Sequence, residues 1–549
     1  MDFDELLAKC GNHSRYQYLL LAAYCYLLFV NSMQFFSQNI ISFVPQHWCY
    51  HEQLENRSFT EIEAIYAQFK SPSCTRLEEI EGNNVTVSSE VCERWIYKYD
   101  YGYRSMNTEL NWVCDSAYKA RVGQSLFFVG SVFGTLIFGG LGDRVGRVKA
   151  MVFANLCGFV GEFSTIFANS LTGFSISRFV SGMAAESNTY IMYILVVEFV
   201  SPSLRNRALS TVYTSSYCAG MIASAWLAVW VGYWRSFLLC SSLPLLVITS
   251  FFFLVQESAQ WLVTRNDVDG AVKRLKRVAK INRRIVGEED FEAFRKYCEI
   301  AHETESPKTQ QKETQLIDML KTPRMRKTAF KLLLLFVIIC SCYTTIAPNV
   351  EGLGISPFVM FSLNALTVLP SGLLQAELQS RFGRKPTVCF SMFISALLSL
   401  ITSLVLSQYG ATNILLLIAL MMCVRFGISV CTGAGFQFTT ELIPTCVRSR
   451  GLAAVHVAGY IVSFLSPYIL LLGDYFKPLP SIVLCLLFLT GGYVCLLLPE
   501  TRNKKLPITL ADGEQFGRGE RMFDFLRRDK NTEETVNTTE AGEKLMRAE

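Results

Sequence analysis

Twelve stretches of this chain are mainly apolar over about 20 residues, the length one helix needs to cross the hydrocarbon core of a bilayer. They centre near residues 30, 130, 158, 185, 219, 245, 340, 367, 396, 424, 461 and 488. So many runs exclude an ordinary soluble fold, and the 549-residue chain is 51% hydrophobic and only 18% charged. The expected fold class is an all-α membrane protein with the lipid bilayer as its solvent. The net charge of +5 comes from Lys and Arg blocks set between apolar runs, so it reads as membrane topology and predicts no nucleic-acid partner. The opening MDFDELLAKCGNHSRYQYLL is acidic and polar and lacks the basic start and small-residue cleavage site of a signal peptide, so the first run is expected to stay as an anchor.

The polar segments between runs divide the chain. Residues 1–18 form a short N-terminus, 19–255 a first group of six spans, 256–328 a polar loop, 329–498 a second group of six, and 499–549 a polar tail read as mostly disordered. Between the first two spans, residues 43–118 carry four of the 18 cysteines, Cys49, Cys74, Cys92 and Cys114, together with the sequons at Asn56 and Asn84. Such a segment is expected outside the cell, disulfide-bonded in one of three pairings and glycosylated. The 256–328 loop mixes KRLKRVAKINRR with GEEDFEAF, which predicts short amphipathic helices at the cytosolic surface. Orientation follows from the short loops. Residues 142–149, 201–207, 380–385 and 442–450 hold ten Lys or Arg, and the opposite short loops hold two, Arg235 and Lys477. Positive loops stay inside, so both termini are expected in the cytosol of a multi-pass plasma-membrane protein.

An internal repeat sets the architecture. Glu198-Phe-Val-Ser-Pro-Ser-Leu-Arg205 is echoed by Glu441-Leu-Ile-Pro-Thr-Cys-Val-Arg448, and Gln256-Glu257-Ser258 by Pro499-Glu500-Thr501, both 243 residues on. Asp143-Arg144-Val145-Gly146-Arg147 matches Ser380-Arg381-Phe382-Gly383-Arg384 at an offset of 237. The two halves therefore read as parallel six-helix repeats.

These residues resemble the major facilitator superfamily, whose loop between helices two and three reads G-x-L-x-D-R-x-G-R; here it is Gly139-Gly-Leu-Gly-Asp143-Arg144-Val-Gly146-Arg147. With ELIPTCVRSRG at 441–451, ESAQWLV at 257–263, LPETRNKKLP at 498–507, WVCD at 112–115 and the opening MDFDELL, the chain is similar to the organic cation, anion and carnitine transporter family over nearly its whole length. It departs from that pattern at Ser380, where an acid is usual, at Asn503, where Gly is usual, and in having four outer cysteines where many relatives have six. The resemblance implies two six-helix bundles that open a central site to each side in turn. It implies no cofactor, and no metal site is assigned. Neither HExxH, P-loop, GxSxG nor dinucleotide fingerprints occur, so enzymatic chemistry has no visible apparatus.

Alternating access needs bonds at the cytosolic ends that hold and release within a few kcal/mol. Asp143, Arg144, Arg147, Glu198, Arg205, Arg381, Arg384, Glu441 and Arg448 are the candidate latch, with Asp143 expected to meet a helix end of the other half. Loop arginines alone would serve topology, and the acids placed seven residues before Arg205 and Arg448 favour the latch. Within spans the charged or titratable groups are few: Glu162, Arg178, Glu186, Glu377, Arg425 and His456. Such groups face a cavity or a partner.

Cation carriers of the family tend to have an Asp in helix eleven and a Glu in helix eight; Tyr460 and Val368 stand there instead, and the Arg usual in anion and carnitine carriers at the first position is also missing. Glu186 in span four becomes the candidate acid for a substrate ammonium, with Tyr190 and Tyr193 following at i+4 and i+7. Tyr343, Tyr460, His456, Gln34 and Arg425 complete the candidate substrate site, although aromatics at helical spacing are more often packing. His456 is a candidate proton-coupling group, with hydrogen bonding as its plainer role. A proton or sodium ion is the candidate coupling ion, and the sequence assigns neither. The expected function is carriage of a small organic cation or zwitterion of the carnitine, amine or amino-acid-derivative type. Organic anions are the alternative, and a membrane receptor that moves no solute is a remote one.

Overall fold

In lipid a helix satisfies its own backbone, and the computed structural model has helix at all twelve apolar runs. The structure describes residues 3–11, 14–55, 57–66, 69, 74–81, 84–87, 91–200, 202–304, 318–346, 356–409, 413–444, 447–502, 504, 507, 510–520 and 522–523. Spans one to six are Arg15–Ile41, Tyr118–Val145, Arg147–Thr165, Leu171–Ala185 continued by Ser187–Phe199, Pro202–Val231 and Trp234–Ile248. Spans seven to twelve are Pro323–Ile346, Pro357–Phe382, Arg384–Tyr409, Ile414–Leu442, Arg448–Ser463 continued by Ser466–Tyr475, and Leu479–Leu496. Ten of the helices among the described residues are long and apolar enough to cross a membrane. The other two crossings are span three, which opens on Arg147 and Lys149, and span four, which is interrupted at Glu186.

Two separate apolar cores fill the two bundles. One gathers Tyr24, Met151, Leu195, Phe199 and Leu245 of the first half, and the other Phe336, Ile339, Met392, Ile428 and Phe488 of the second. A third core lies at one end only and mixes the halves, with Phe36, Met221 and Trp234 packed beside Phe358, Phe361 and Ala365. Within the first bundle small residues let backbones touch: a Cβ on Gly134 would lie 1.9 Å from the Met183 carbonyl oxygen, and one on Gly182 2.0 Å from that of Phe127.

The segment between spans one and two folds at that same end, called here the disulfide end. Its four cysteines pair as Cys49–Cys92 and Cys74–Cys114. Gln46–Cys49 pairs antiparallel with Trp95–Lys98, and Leu77–Glu81 with Asn84–Val87, around buried Trp48, Leu54, Ile62 and Tyr66. Glu109 clasps this segment to span six, accepting hydrogen bonds from Tyr233 Oη at 2.7 Å, Trp234 Nε1 at 2.5 Å and Arg235 Nη2. Asn56 and the side chain of Asn84 lie outside the described residues.

At the opposite, charged-loop end the polar connection forms helices at Ala259–Thr264, Val268–Ile281, Glu288–Thr304 and Asp318–Lys321. The N-terminal helix Phe3–Gly11 docks on them through the Asn282 amide, which donates to Cys10 O at 2.9 Å and accepts from Tyr16 N at 2.8 Å. Part of the polar tail is ordered. Leu510–Gln515 is a helix, and the Glu514 carboxylate accepts from the Arg324 and Met325 backbone N–H groups at 3.0 and 2.9 Å. The first turn of span seven has orphan donors, and this acid meets two of them. Residues 524–549 lie outside the described residues.

Some desolvation pushes the Glu514 carboxyl up, but the two backbone hydrogen bonds, Thr322 and the charge of Arg324 outweigh it and hold the carboxyl below its ordinary value. A depressed folded value means that the clasp contributes fully above the unfolded carboxyl range, about 4.3, and is lost as pH falls through the folded value. Hydrogen exchange over residues 510–520, corrected for intrinsic rates, is expected to stay constant from neutral pH down to about 5 and to rise below about 4. Glu514→Gln should raise it already at neutral pH, and equal protection in variant and parent would contradict the clasp.

Candidate functional site

Span four breaks where no Gly or Pro asks it to. The Leu171–Ala185 helix ends, Glu186 stands between, and Ser187–Phe199 resumes. The carbonyl of Ala185 accepts from Asn31 Nδ2 of span one at 2.5 Å, and the same amide nitrogen lies 2.9 Å from Thr189 Oγ1. A side chain inserted into the i→i−4 ladder is one of the identifiable causes of a helix break. Glu186 keeps a right-handed helical backbone, and the Tyr190 N–H donates to its carbonyl at 3.0 Å, so Glu186, Tyr190 and Tyr193 keep their i, i+4 and i+7 relation across the interruption.

Glu186 faces the other half of the molecule, its carboxyl within electrostatic range of the Tyr460 hydroxyl of span eleven. Tyr213 and Tyr217 of span five lie within electrostatic range of its carboxylate, their rings stacked with centroids 5.9 Å apart. These two tyrosines were not anticipated. Their i,i+4 spacing in a span otherwise rich in Ser, Ala and Gly is the signal that could have found them. Tyr217 is also within range of Tyr343 and Arg425. Arg425 is fully buried, with its guanidinium carbon 4.0 Å from the Tyr343 ring centroid and its Nη1 donating to the Tyr343 carbonyl at 3.0 Å. Glu186, Tyr460, Tyr343 and Arg425 thus surround one mid-membrane region together with Tyr213 and Tyr217.

The remaining candidates stand elsewhere. Tyr190 lies toward the charged-loop end, within range of Asp143 and Arg147, and Tyr193 neighbours Tyr24. Gln34 is fully buried and donates to the Ser181 carbonyl at 3.2 Å, tying span one to span four inside the first bundle. The His456 ring sits between Phe336 and Phe436, with centroids 4.7 and 5.2 Å away.

The charged motifs tie each half to itself. Asp143 pairs with Arg147, Arg381 with Glu377, and Arg384 with Glu441 at 3.1 Å. Glu198 lies within electrostatic range of Arg147 and Glu257, and Glu441 accepts from Thr501 Oγ1 at 2.6 Å. The Arg144 side chain is exposed, while those of Arg205 and Arg448 lie outside the described residues. In this structure the Asp143 carboxylate pairs with Arg147 of its own half. The repeated acids Glu257 and Glu500 do something else. Glu257 accepts from the backbone of Arg147 at 2.8 Å and Val148 at 3.1 Å, and Glu500 from Arg384 and Lys385, each at 3.1 Å. Each meets orphan donors at the start of span three or nine. The preceding Gly146 and Gly383 have φ of +114° and +104°, and a Cβ there would lie 2.5 and 2.9 Å from those carboxylates.

At the disulfide end the halves do meet. Span eleven is interrupted after Ser463 and resumes at Ser466, and span two supplies the caps. Ser125 Oγ donates to Phe464 O at 3.0 Å and Arg121 Nη1 to Pro467 O at 3.2 Å. Spans five and eight close alongside, through Trp226 Nε1 to Ser362 Oγ at 2.9 Å and Cys218 Sγ to Ala365 O at 3.2 Å.

Comparison with known proteins matches this architecture. The profile of the "Sugar (and other) transporter" family covers residues 78–508. The chain belongs to this family. Among full-length relatives, an "Organic cation transporter protein" of Drosophila melanogaster is 27% identical over 94% of this chain and 95% of its own. A "Solute carrier family 22 member 6" of Pseudopleuronectes americanus is 26% identical over 100% of both, and a "Beta-alanine transporter" of Drosophila melanogaster is 27% identical over 94% of this chain and 89% of its own. Among solved structures, the Escherichia coli xylose transporter XylE in an inward-open conformation superposes with a TM-score of 0.57 at 14% identity, covering 91% of this chain and 100% of that one. The resemblance to organic cation and anion transporters therefore holds along the whole chain, and the protein is a membrane transporter of the major facilitator fold and not an enzyme.

Removing either capping acid of this transporter leaves two backbone donors and a glycine-lined gap. Glu257→Ala and Glu500→Ala are each expected to cost about 1–3 kcal/mol, read as a lower melting temperature of the detergent-solubilised protein. Glutamine at either position should recover part of the loss, and unchanged melting in the alanine variants would rule out the capping role.

Proposed function

We propose that this protein carries small organic cations or zwitterions, of the carnitine, amine or amino-acid-derivative type, across the plasma membrane by alternating access. What supports this reading is the approach of Glu186 to Tyr460, a carboxyl of one bundle within electrostatic range of a tyrosine of the other, with Tyr213 and Tyr217 also in range. A carboxylate at mid-membrane is costly to keep there without a task. Beside tyrosine faces it suits a substrate ammonium, since a desolvated cation over a ring gains about 2 kcal/mol. A substrate bound between Glu186 and Tyr460 would touch both halves, which couples occupancy to their relative tilt. The relatives titled as organic cation and β-alanine transporters support the same class.

The topology proposed with it has the disulfide end outside and both termini in the cytosol, following the positive-inside balance of the short loops. In that orientation the cross-half contacts of spans two, five, eight and eleven form a closed outer gate, and the conformation is inward-facing. Asp143, Arg147, Arg384 and Glu441 then stiffen each half at its cytosolic end. Glycosylation at Asn56 and Asn84 belongs to the same orientation.

A second reading, carriage of organic anions, draws on Arg425, whose Nε and Nη2 have no hydrogen-bond partner. Uptake in expressing cells separates the two. Radiolabelled amines and β-amino acids should enter faster than in control cells, and Glu186→Gln should lower that uptake about 10- to 100-fold at equal surface expression, the loss expected for a charge-assisted hydrogen bond. Retained uptake of organic anions with cation uptake absent, or a Glu186→Gln variant that transports normally, would overturn the cation reading. Binding without net flux would point to a receptor.

A further inference from the structure

The segment between spans one and two holds a histidine aimed at a disulfide. His47 lies on the strand Gln46–Cys49, and its Nε2 is 3.9 Å from Cys114 Sγ. A ring nitrogen of His47 and the sulfurs of Cys74 and Cys114 all fall within 4.8 Å of one another. The other ring nitrogen, Nδ1, is 3.0 Å from the Pro45 carbonyl oxygen. A carbonyl only accepts, so Nδ1 carries the proton and Nε2 turns a bare lone pair toward the sulfurs. One ring nitrogen fixed by a backbone carbonyl while the other faces the ligand position is the arrangement around metal-ligating histidines.

The two disulfides differ in access. Cys49 and Cys92 are buried, at 2% and 5% exposure, whereas Cys74 is exposed and Cys114 half-buried. Exchange needs a thiolate to reach a sulfur, so a small thiol meets Cys74 first. His47 does not depend on the bond beside it. The Cys49–Cys92 bridge closes two residues further along its strand, and that strand pairs with Trp95–Lys98. Opening Cys74–Cys114 therefore leaves His47 in place with two thiols before it. A closed disulfide is a poor ligand, but two thiolates with an imidazole suit zinc. With Zn–S about 2.3 Å and Zn–N about 2.0 Å, tetrahedral angles put a nitrogen and a sulfur ligand about 3.5 Å apart. The His47 to Cys114 separation is already close to that, and rotation of the exposed Cys74 side chain supplies the remaining movement.

We propose that Cys74, Cys114 and His47 form a redox-gated zinc site: closed as a disulfide it binds no metal, and reduced by a small thiol it takes one Zn²⁺ through two thiolates and the His47 Nε2. A thiolate attacks Cys74 Sγ, forming a mixed disulfide and releasing Cys114 as a thiolate. A second thiol then frees Cys74 and leaves as the small-molecule disulfide. Two electrons pass to the cysteines, and the two thiol protons go to their sulfurs. Zinc displaces both protons to buffer, and a water takes the fourth position. The site stands at the foot of span two. Cys114 opens the turn Cys114–Ser116 just before Tyr118, and Arg121 and Ser125 of that span hold span eleven. Zinc thus restores, under reducing conditions, the tether that the disulfide makes between this segment and span two.

Alkylation read peptide by peptide tests this on the full-length chain in lipid nanodiscs, treated with dithiothreitol and then freed of it under nitrogen. Maleimide should label Cys74 and Cys114 while Cys49 and Cys92 stay unlabelled. Micromolar zinc chloride should slow labelling of the first two about 10-fold or more, since zinc held by two thiolates binds more tightly than that. His47→Gln should raise the zinc concentration needed by about 10-fold or more, a loss that removing even a supporting group of a zinc ligand causes. Unlabelled Cys49 and Cys92 in the variant show that the segment is folded. In the parent alone, reduction should add zinc binding that re-oxidation removes. Equal zinc protection in parent and variant, labelling that zinc does not slow, zinc binding indifferent to reduction, or a Cys74–Cys114 bond that opens no sooner than Cys49–Cys92 would each overturn the proposal.

Discussion

A carbonyl released from a helix inside a bilayer has no water to turn to, so each interruption must be met by a side chain from somewhere else. Two interruptions organise this protein. At Glu186 the freed Ala185 carbonyl is met by Asn31, within the same bundle, and the break leaves the carboxylate facing the other half. At residues 464–465 the Phe464 carbonyl is met by Ser125, and Arg121 donates to the Pro467 carbonyl in the first turn beyond, both from the opposite bundle. The first lies at the candidate site and the second where the halves meet, and the difference lies in which half supplies the donor. A gate whose backbone is capped from the far side cannot open without finding those carbonyls new partners, which makes it a two-state element and not a loose seam.

The charged-loop end follows the same accounting at helix starts. Three carboxylates, Glu257, Glu500 and Glu514, sit on the first backbone N–H groups of spans three, nine and seven. The repeated motifs are thus stiffeners of each half, and rigid halves are what a rocking mechanism needs. The halves are bound to themselves at this end and to each other at the disulfide end, and Glu186 faces Tyr460 of the other half between those ends.

Much of this was legible in the residues. Span length, the 243- and 237-residue echoes and the family motifs are one-dimensional patterns, and they carry the fold. Glu186, Tyr460, Tyr343 and Arg425 were legible because a charge or a misplaced aromatic in an apolar run is conspicuous. The break at Glu186 was not, because Met183-Ala184-Ala185-Glu186-Ser187 contains no helix breaker and the cause, Asn31, lies 154 residues earlier than Ala185. Gln34 looked like a site residue because a polar group in a span draws attention, yet its partner is the Ser181 backbone. The intra-half direction of the Asp143 and Arg384 pairs was hidden for a similar reason: spacing identifies a charged motif but not the helix it faces. The docked tail escaped notice because Glu514 is one acid among many in a polar stretch.

In the proposed mechanism the halves pivot, closing one end as the other opens. Spin labels at Lys119 and Ile469 report the disulfide end, and labels at Arg144 and Arg381 the charged-loop end, each pair measured by pulsed dipolar spectroscopy in lipid. Replacing Ser125 and Arg121 by alanine removes the caps on the span-eleven break. The pivot predicts that this change lengthens the first distance and shortens the second. Distances that lengthen together, or a disulfide end that opens while the charged-loop end stays fixed, would contradict it.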